Sequence, residues 1–376
     1  YRKPIFEPTK LQVMYLVPTD NCNFDCKYCF IYGDLPKPHA FTTMAPETAD
    51  LAVDFFARTA RNAPKLSDEE YRVVFYGGEP LLNKEIVYRA VKRLVRHEAE
   101  GAFSPAMLTI VVVTNGSLVD DEFAKFAAQH AISVSVSLDG LEQHHDRMRV
   151  LRNSGHGTFA TAIAGFEKLV QHQCNPSPTI TIGEHNFDDL EEIVRYYVEK
   201  YHCPIGLNIP MQPLADFEAS HLPEPRRIAE KIVKIFQYLR QKGIYEDKII
   251  RYIKSFITRQ PRLYDCCGGC GEQFVVAPDG MIGACQIMLS TRELFNQNVQ
   301  NAPDNLYDSD WLEWKKRSPF LKTQCLDCEA IAICGGGCPY ISWKGKGDIR
   351  AVDDRICEIS KYIQEWLIWD VYEQME

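Results

Sequence analysis

The sequence has no apolar run approaching the roughly 20 residues that a membrane span requires. No secretory signal is visible from Tyr1. Basic residues do not predominate: 42 Lys and Arg against 51 Asp and Glu give a formal net charge of −9. The chain as a whole therefore lacks the cationic surface that phosphate backbones select, and neither nucleic acid nor a membrane is expected as a partner. No internal repeat and no low-complexity tract is present, which sets aside solenoids and flexible linkers. The chain begins at Tyr rather than Met, consistent with a leader or upstream domain having been removed. What is present is ordinary globular material. With 376 residues, 45% hydrophobic and 25% charged, there is length for a large core, and for one large domain with one or two smaller ones.

The 14 cysteines are unusual, and their distribution says more than their number. Cys22, Cys26 and Cys29 form one group. Cys266, Cys267, Cys270, Cys285, Cys325, Cys328, Cys334, Cys338 and Cys357 form another, and Cys174 and Cys203 stand alone. Secreted disulfide proteins are shorter and spread their cysteines along the chain. Clustered cysteines without a secretion signal predict metal ligands in a reducing, cytoplasmic compartment. The isolated Cys174 and Cys203 are expected to be small buried hydrophobes.

Strand and helix signals alternate through the first half. Apolar runs at 11–17, 73–76, 108–113, 132–138, 179–182 and 204–209 predict strands. Between them, apolar spacing such as Ala49, Ala52, Val53 and Phe56 predicts helices. Such alternation implies a parallel sheet flanked by helices, and continuous Val/Ile/Leu strands are those buried on both faces. Six units fall short of the eight of a closed barrel, so the expected α/β fold is a partial (β/α)6 TIM-like barrel over residues 1–215. Amphipathic helices in 216–262 form a linker, and a cysteine-rich domain fills 263–376. In either parallel architecture the ligands sit at the C-terminal strand ends.

Cys22, Cys26 and Cys29 follow the first strand as C-x3-C-x2-C. Three thiolates on one loop can hold three irons of a four-iron cube and leave the fourth open to a ligand, since such clusters ordinarily take four cysteines. The alternative is a zinc ion completed by a remote His. The triplet, with Tyr28 before its last cysteine, resembles the motif of the radical S-adenosylmethionine (SAM) superfamily. That resemblance implies SAM bound at the open iron and its reductive cleavage to a 5′-deoxyadenosyl radical that abstracts hydrogen from a substrate. It also implies SAM contacts from Gly77-Gly78-Glu79-Pro80 at the end of the second strand, where a carboxylate meets the SAM ammonium. Thr114 and Asn115 after the third strand, Ser137 and Asp139 after the fourth, and Arg149 at the SAM carboxylate complete the expected contacts. His144 and His145 are expected on a solvated loop.

The C-terminal cysteines resemble the SPASM domain of peptide-modifying radical SAM enzymes: Cys270-x9-Gly280-x4-Cys285, then C-x2-C-x5-C-x3-C through Cys325, Cys328, Cys334 and Cys338, closed by Cys357. The resemblance implies two auxiliary four-iron clusters, hence three in all. One would take Cys267 (or Cys266), Cys270, Cys285 and Cys338; the other Cys325, Cys328, Cys334 and Cys357. Phe274-Val275-Val276 followed by Pro278-Asp279-Gly280 predicts a β-hairpin. The leftover Cys266 is either inert or a hydrogen donor.

The layout is similar to that of anaerobic sulfatase-maturating enzymes. In those the residue after the hairpin cysteine is an acid serving as base; here it is Gln286, an amide that cannot accept a proton. Glu272 and Asp279 are the alternative acceptors. The expected function is therefore hydrogen abstraction from a peptide or protein, leading to a crosslink, thioether or epimerised residue. Formylglycine formation and dehydrogenation of a small molecule are the alternatives, and a bare electron carrier is a third. The first strand starts so early that no leader-binding domain is expected in these residues: it was cut away, a separate protein supplies it, or the substrate binds directly. A flavodoxin or ferredoxin would supply electrons.

Overall fold

The computed structural model describes residues 11–33, 39–62, 70–103, 108–209, 223–265, 271–303, 306, 313–314 and 316–375. Its first six strands are β1 (Val13–Leu16), β2 (Tyr71–Phe75), β3 (Leu108–Thr114), β4 (Ser133–Ser137), β5 (Ser177–Thr181) and β6 (Gly206–Asn208). They pair in parallel in chain order. Helices α1 (Pro46–Asn62), α2 (Lys84–Ala99), α3 (Asp121–Gln129), α4 (Glu142–Met148), α5 (Phe159–Gln171) and α6 (Leu190–Tyr201) alternate with them. Ala49, Ala52, Val53 and Phe56 of α1 are all buried, as their spacing predicts. Side chains from β1 and from β6, Tyr15 and Leu207 among them, line one cavity, so the sheet curls around it. The result is the expected partial (β/α)6 barrel.

The predicted hairpin is present as β7 (Gln273–Val276) and β8 (Met281–Gly283), followed by β9 (Phe295–Asn298). Its docking is a finding that the sequence did not predict. β7 lies parallel to β1, with Val13 opposite Gln273 and Leu16 opposite Val276. One nine-stranded sheet therefore runs β6-β5-β4-β3-β2-β1-β7-β8-β9. Phe274 of β7 packs edge-on against Phe55 of α1 at 5.5 Å and beside Phe56 at 5.7 Å, so the C-terminal segment shares the barrel's core.

The chain then folds back on itself. Helices α7 (Pro225–Gln241) and α8 (Asp247–Thr258) follow the barrel, and α9 (Ile331–Cys334), α10 (Pro339–Lys346) and α11 (Asp354–Glu373) end the chain. A two-pronged ion pair, Arg240 to Asp370 at 2.8 Å on each prong, joins α7 to α11. No helix among the described residues is long and apolar enough to cross a membrane.

Candidate functional site

A cavity of about 550 Å³ opens at the C-terminal strand ends. Cys22, Cys26 and Cys29 line it, together with Tyr28, Gly77, Gly78, Thr114, Asn115, Ser137 and Arg149, each expected there from the sequence. Backbone contacts explain the Gly-Gly pair. Gly78 N donates to Thr19 O at 3.1 Å and Glu79 N to Asn21 O at 2.8 Å, so the end of β2 pairs with the start of the cysteine loop. A Cβ on Gly77, whose φ is +131°, would lie 2.5 Å from Thr19 O, and one on Gly78 2.0 Å from Asn21 O. Only glycine allows that approach.

Donors converge on the sulfurs. Phe24 N points at Cys22 Sγ (3.4 Å), Asn115 Nδ2 also at Cys22 (3.8 Å), and Arg149 Nη1 at Cys26 Sγ (3.8 Å). Burial, with the neighbouring charge of Glu79, pushes the Cys22 thiol up to about 12, and burial raises Cys26 as well. The three thiols lie close enough to disfavour ionisation in one another. Such a pocket holds thiolates only when a cation shares it, which fits a bound cluster of irons. Among the described residues no three His, Cys, Asp or Glu side chains converge closely enough for a single metal ion, here or at the C-terminal cysteines.

Glu79 does not line the cavity. Its carboxylate is fully buried and accepts hydrogen bonds from Thr114 Oγ1 (2.7 Å), Asn115 N (2.7 Å) and Leu81 N (3.0 Å). Burial raises its pKa to about 7 even against these donors. Glu79 thus binds the end of β3 to the end of β2, and Pro80 opens the 3₁₀ turn behind it. Asp139 is a second buried hub. It takes Arg149 Nε at 3.0 Å, Thr181 N at 3.1 Å, His185 Nε2 at 3.6 Å and the Tyr28 hydroxyl. Burial alone would raise its carboxyl, but the Arg149 charge and the His185 contact prevail and hold it well below the usual range. Arg149 also lies over the Tyr28 ring at 5.2 Å. Asp139 therefore fixes Arg149 against Cys26 and Tyr28 beside Cys29.

His144 and His145 correct the sequence reading. They lie on α4, not on a loop, and both are buried. His144 Nε2 meets Asp189 at 2.9 Å, and His145 meets Thr158 Oγ1 at 3.0 Å while its Nδ1 receives Asp139 N at 3.4 Å. The Asp-Gly turn before them ends in a short helix whose inner face packs behind Asp139. Cys203 is buried as expected; Cys174 is only half-buried and donates to Ala124 O at 3.3 Å.

Asp279 sits in the exposed hairpin turn, bonded to Met281 N and Arg292, and Glu272 precedes β7; neither lines the cavity. Gln286 does line it. Gln273 Nε2 donates to Ala284 O at 3.1 Å and to Gln286 Oε1 at 2.7 Å. A backbone carbonyl only accepts, so it fixes the Gln273 amide, which in turn fixes the Gln286 oxygen towards Gln273. Gln286 thus puts an amide, not a carboxylate, at this position of the cavity wall. His185, Arg152, Thr181, Asn208, Asp20 and Glu246 also line the cavity; the sequence reading missed them. They come from strand ends and loops that carry no motif.

In the C-terminal region Cys325, Cys328, Cys334 and Cys357 lie near enough for their charges to act on one another, without three of them converging on a single-ion site. Cys357 senses the charges of the other three, and Cys334 those of Cys325 and Cys328. Burial pushes Cys334 up to about 11 and Cys357 to about 12. None of the four lines the 550 Å³ cavity. Cys285 is buried at the end of the hairpin. Cys338 lines a second cavity of about 210 Å³ with Arg262, Asp265 and Arg355. Cys266, Cys267 and Cys270 lie outside the described residues.

Residues 16–197 match the Radical SAM superfamily. The chain is 23% identical to the radical SAM cyclopropyl synthase TigE of Paramaledivibacter caminithermalis over 96% of its length and 74% of the relative's. It is 24% identical to the serine-type anaerobic sulfatase-maturating enzyme of Klebsiella aerogenes, over 85% and 77%. Among solved structures, the anaerobic sulfatase-maturating enzyme anSMEcpe with bound AdoMet and Cp18Cys peptide superposes with a TM-score of 0.78. It shares 20% identity and covers 96% of this chain and 98% of that one. SuiB of Streptococcus suis, bound to its precursor peptide SuiA, gives 0.66 at 13% identity, covering 95% and 77%.

Proposed function

We propose that the chain is a radical SAM enzyme that modifies a peptide or protein; its residues 16–197 match the Radical SAM superfamily. The observation that carries the proposal is the wall of three thiols, Cys22, Cys26 and Cys29, facing one cavity framed by Gly77, Gly78, Asn115, Ser137 and Arg149. A SAM-loaded four-iron cluster supplies, on reduction, a carbon radical able to remove hydrogen from an unactivated carbon. This chain's residues do the rest. Asn115, the Phe24 amide and Arg149 face the sulfurs, Ser137 offers a hydroxyl to the bound cofactor, and Glu79 and Asp139 hold these donors in place from behind.

The C-terminal cysteines hold two further clusters in this reading: Cys325, Cys328, Cys334 and Cys357 for one, and Cys267, Cys270, Cys285 and Cys338 for the other, within a SPASM-type domain spanning 263–376. The relatives support a peptide substrate: a cyclopropyl synthase, sulfatase maturases, and an enzyme bound to a precursor peptide. The product is a crosslink, thioether or epimerised residue. Formylglycine formation is the second reading, favoured by the likeness to sulfatase-maturating enzymes. Gln286 weighs against it, because the amide lining the cavity there cannot serve as a proton acceptor as a carboxylate would. An external donor such as flavodoxin or ferredoxin supplies electrons.

Anaerobic reconstitution with iron, sulfide, SAM and dithionite tests the reading. The expected result is 5′-deoxyadenosine, with iron near twelve per chain from three cubes. Mass spectrometry of candidate precursor peptides then shows the loss of hydrogen. Zinc in the N-terminal site, or a cube whose spectrum ignores SAM, would overturn it.

A further inference from the structure

Between Cys334 and Cys338 run Gly335, Gly336 and Gly337, all with positive φ (+70°, +84° and +76°). A Cβ on Gly335 would lie 2.5 Å from Asp265 N, and one on Gly337 2.7 Å from Asp353 Cβ, so the loop is pressed between two segments that only glycine clears. Its polar groups are sorted by direction. The Gly336 amide donates to Cys334 Sγ at 3.1 Å. The Gly336 carbonyl accepts from Lys322 Nζ at 3.5 Å, and the Gly337 carbonyl from Arg317 Nη2.

Both cations are buried, Lys322 at 6% and Arg317 at 1% exposure. Lys322 otherwise reaches only Ala351 O, at 2.9 Å. Nε and Nη1 of Arg317 have no hydrogen-bond partner among the described residues. Neither side chain forms an ion pair with a carboxylate among the described residues. Asp348, the acid that senses Lys322, is at the surface and bonded to Arg350 at 3.1 Å. Two cations buried without an acid are expensive unless a negative charge arrives to face them. Lys322 O accepts from Cys325 N at 2.9 Å, and Lys322 Nζ meets the carbonyl of Gly336, whose amide bonds Cys334 Sγ, so its backbone and its side chain both adjoin this cysteine group.

We propose that Lys322 and Arg317 are potential-setting residues: a fixed pair of positive charges, held on the carbonyls of Gly336 and Gly337, that favours the reduced state of a cluster bound by Cys325, Cys328, Cys334 and Cys357. This rests on the reading that these four cysteines hold a four-iron cube. Each electron added to such a cube adds one negative charge, and a buried cation stabilises that added charge more than a surface one. The pair therefore raises the potential of this site above the value it would have without the two charges.

The test uses the full chain with Cys22, Cys26 and Cys29 changed to Ala, reconstituted anaerobically, so that only C-terminal clusters remain. Iron is counted, and an EPR-monitored redox titration gives the midpoint of each cluster. In this background Lys322→Gln keeps a hydrogen-bond donor but removes the charge, whereas Lys322→Arg keeps the charge. We expect one of the two midpoints to move to lower potential in the Gln protein and to stay near the parent value in the Arg protein, the other midpoint being unchanged. Equal midpoints in all three proteins at full iron content overturn the proposal, as does an Arg protein that shifts like the Gln protein. If Lys322→Gln fails to hold its irons, Arg317→Gln is judged by the same criterion. A parent protein with only about four irons removes the underlying reading, and the proposal falls with it.

Discussion

Two cysteine groups are buried in this chain, and the charges packed around them differ. Beside Cys22, Cys26 and Cys29 stand buried acids, Glu79 and Asp139, with Arg149 as the one buried cation among the described residues that reaches a sulfur there. Beside Cys325, Cys328, Cys334 and Cys357 stand two buried cations, Lys322 and Arg317, seated on glycine carbonyls, while the acids there, Asp265 and Asp354, act on Cys334 and Cys357. The first group faces the large cavity and the second does not. The contrast teaches a division of labour. On the proposed reading, three thiols in an acid-braced frame would leave one coordination position towards a ligand, whereas four thiols beside buried cations, away from the cavity, would suit passage of an electron. The sharpest way to break the comparison is to remove one thiol from each group. Cys26→Ala should lower 5′-deoxyadenosine formation by more than about a hundredfold, because the open iron position disappears with its cluster. Cys328→Ala should leave that cleavage within about tenfold while abolishing modified peptide, because the second group is not at the cavity. Liquid chromatography of the nucleoside and mass spectrometry of the peptide read the two outcomes separately.

The acid frame predicts the next largest effect. Asp139→Asn leaves Arg149 buried without its counter-charge, which should cost about 3–5 kcal/mol, seen as a lower melting temperature. Lys84→Ala, which cuts only a surface pair with Asp120, should cost at most about 1 kcal/mol. Glu79 gives a pH dependence of opposite sign to the usual carboxylate. Burial raises its folded pKa from 4.5 to about 7, so the folded chain holds that proton more tightly than the unfolded chain does. Its contribution to stability is full below pH 4.5 and is lost as pH rises through about 7. Wild type should therefore lose more melting temperature between pH 5 and 8 than Glu79→Gln does. Equal slopes for the two proteins would show that Glu79 is not so perturbed.

Much of this site was legible in the sequence because its residues belong to the chain's punctuation. Cys22 to Cys29, Gly77-Gly78 and Thr114-Asn115 all stand at strand ends, where a break in apolar character marks the position. The inner roles were not legible. Glu79 and Asp139 look like ligand contacts in one dimension, yet three dimensions show each surrounded by protein donors. His145 looked solvated because the apolar residues that cover it come from other segments, Phe159 among them, at 5.8 Å. Glu246 reaches the cavity from the turn before α8, far along the chain and without a motif. The docking of β7 on β1 was hidden for the same reason: strand pairing across more than 250 residues leaves no local periodicity. Lys322 and Arg317 read as surface residues by type, since Lys and Arg are seldom buried, and only the tertiary packing shows otherwise.

The smallest predicted effect guards the border between the two regions. The hairpin joins them, because β7 lies in the barrel sheet while Cys285 follows β8. Asp279 marks its tip, exposed, with an Arg292 partner at 3.2 Å that is itself partly exposed. An exposed pair of this kind contributes no more than about 1 kcal/mol. Asp279→Asn should therefore melt within a few degrees of wild type and form product at an unchanged rate, with the Met281 amide still able to bond the side-chain oxygen. A large loss of product in a well-folded Asp279→Asn protein would place the hairpin tip at the substrate. The boundary drawn here between a cavity for chemistry and a cysteine group for electrons would then have to move.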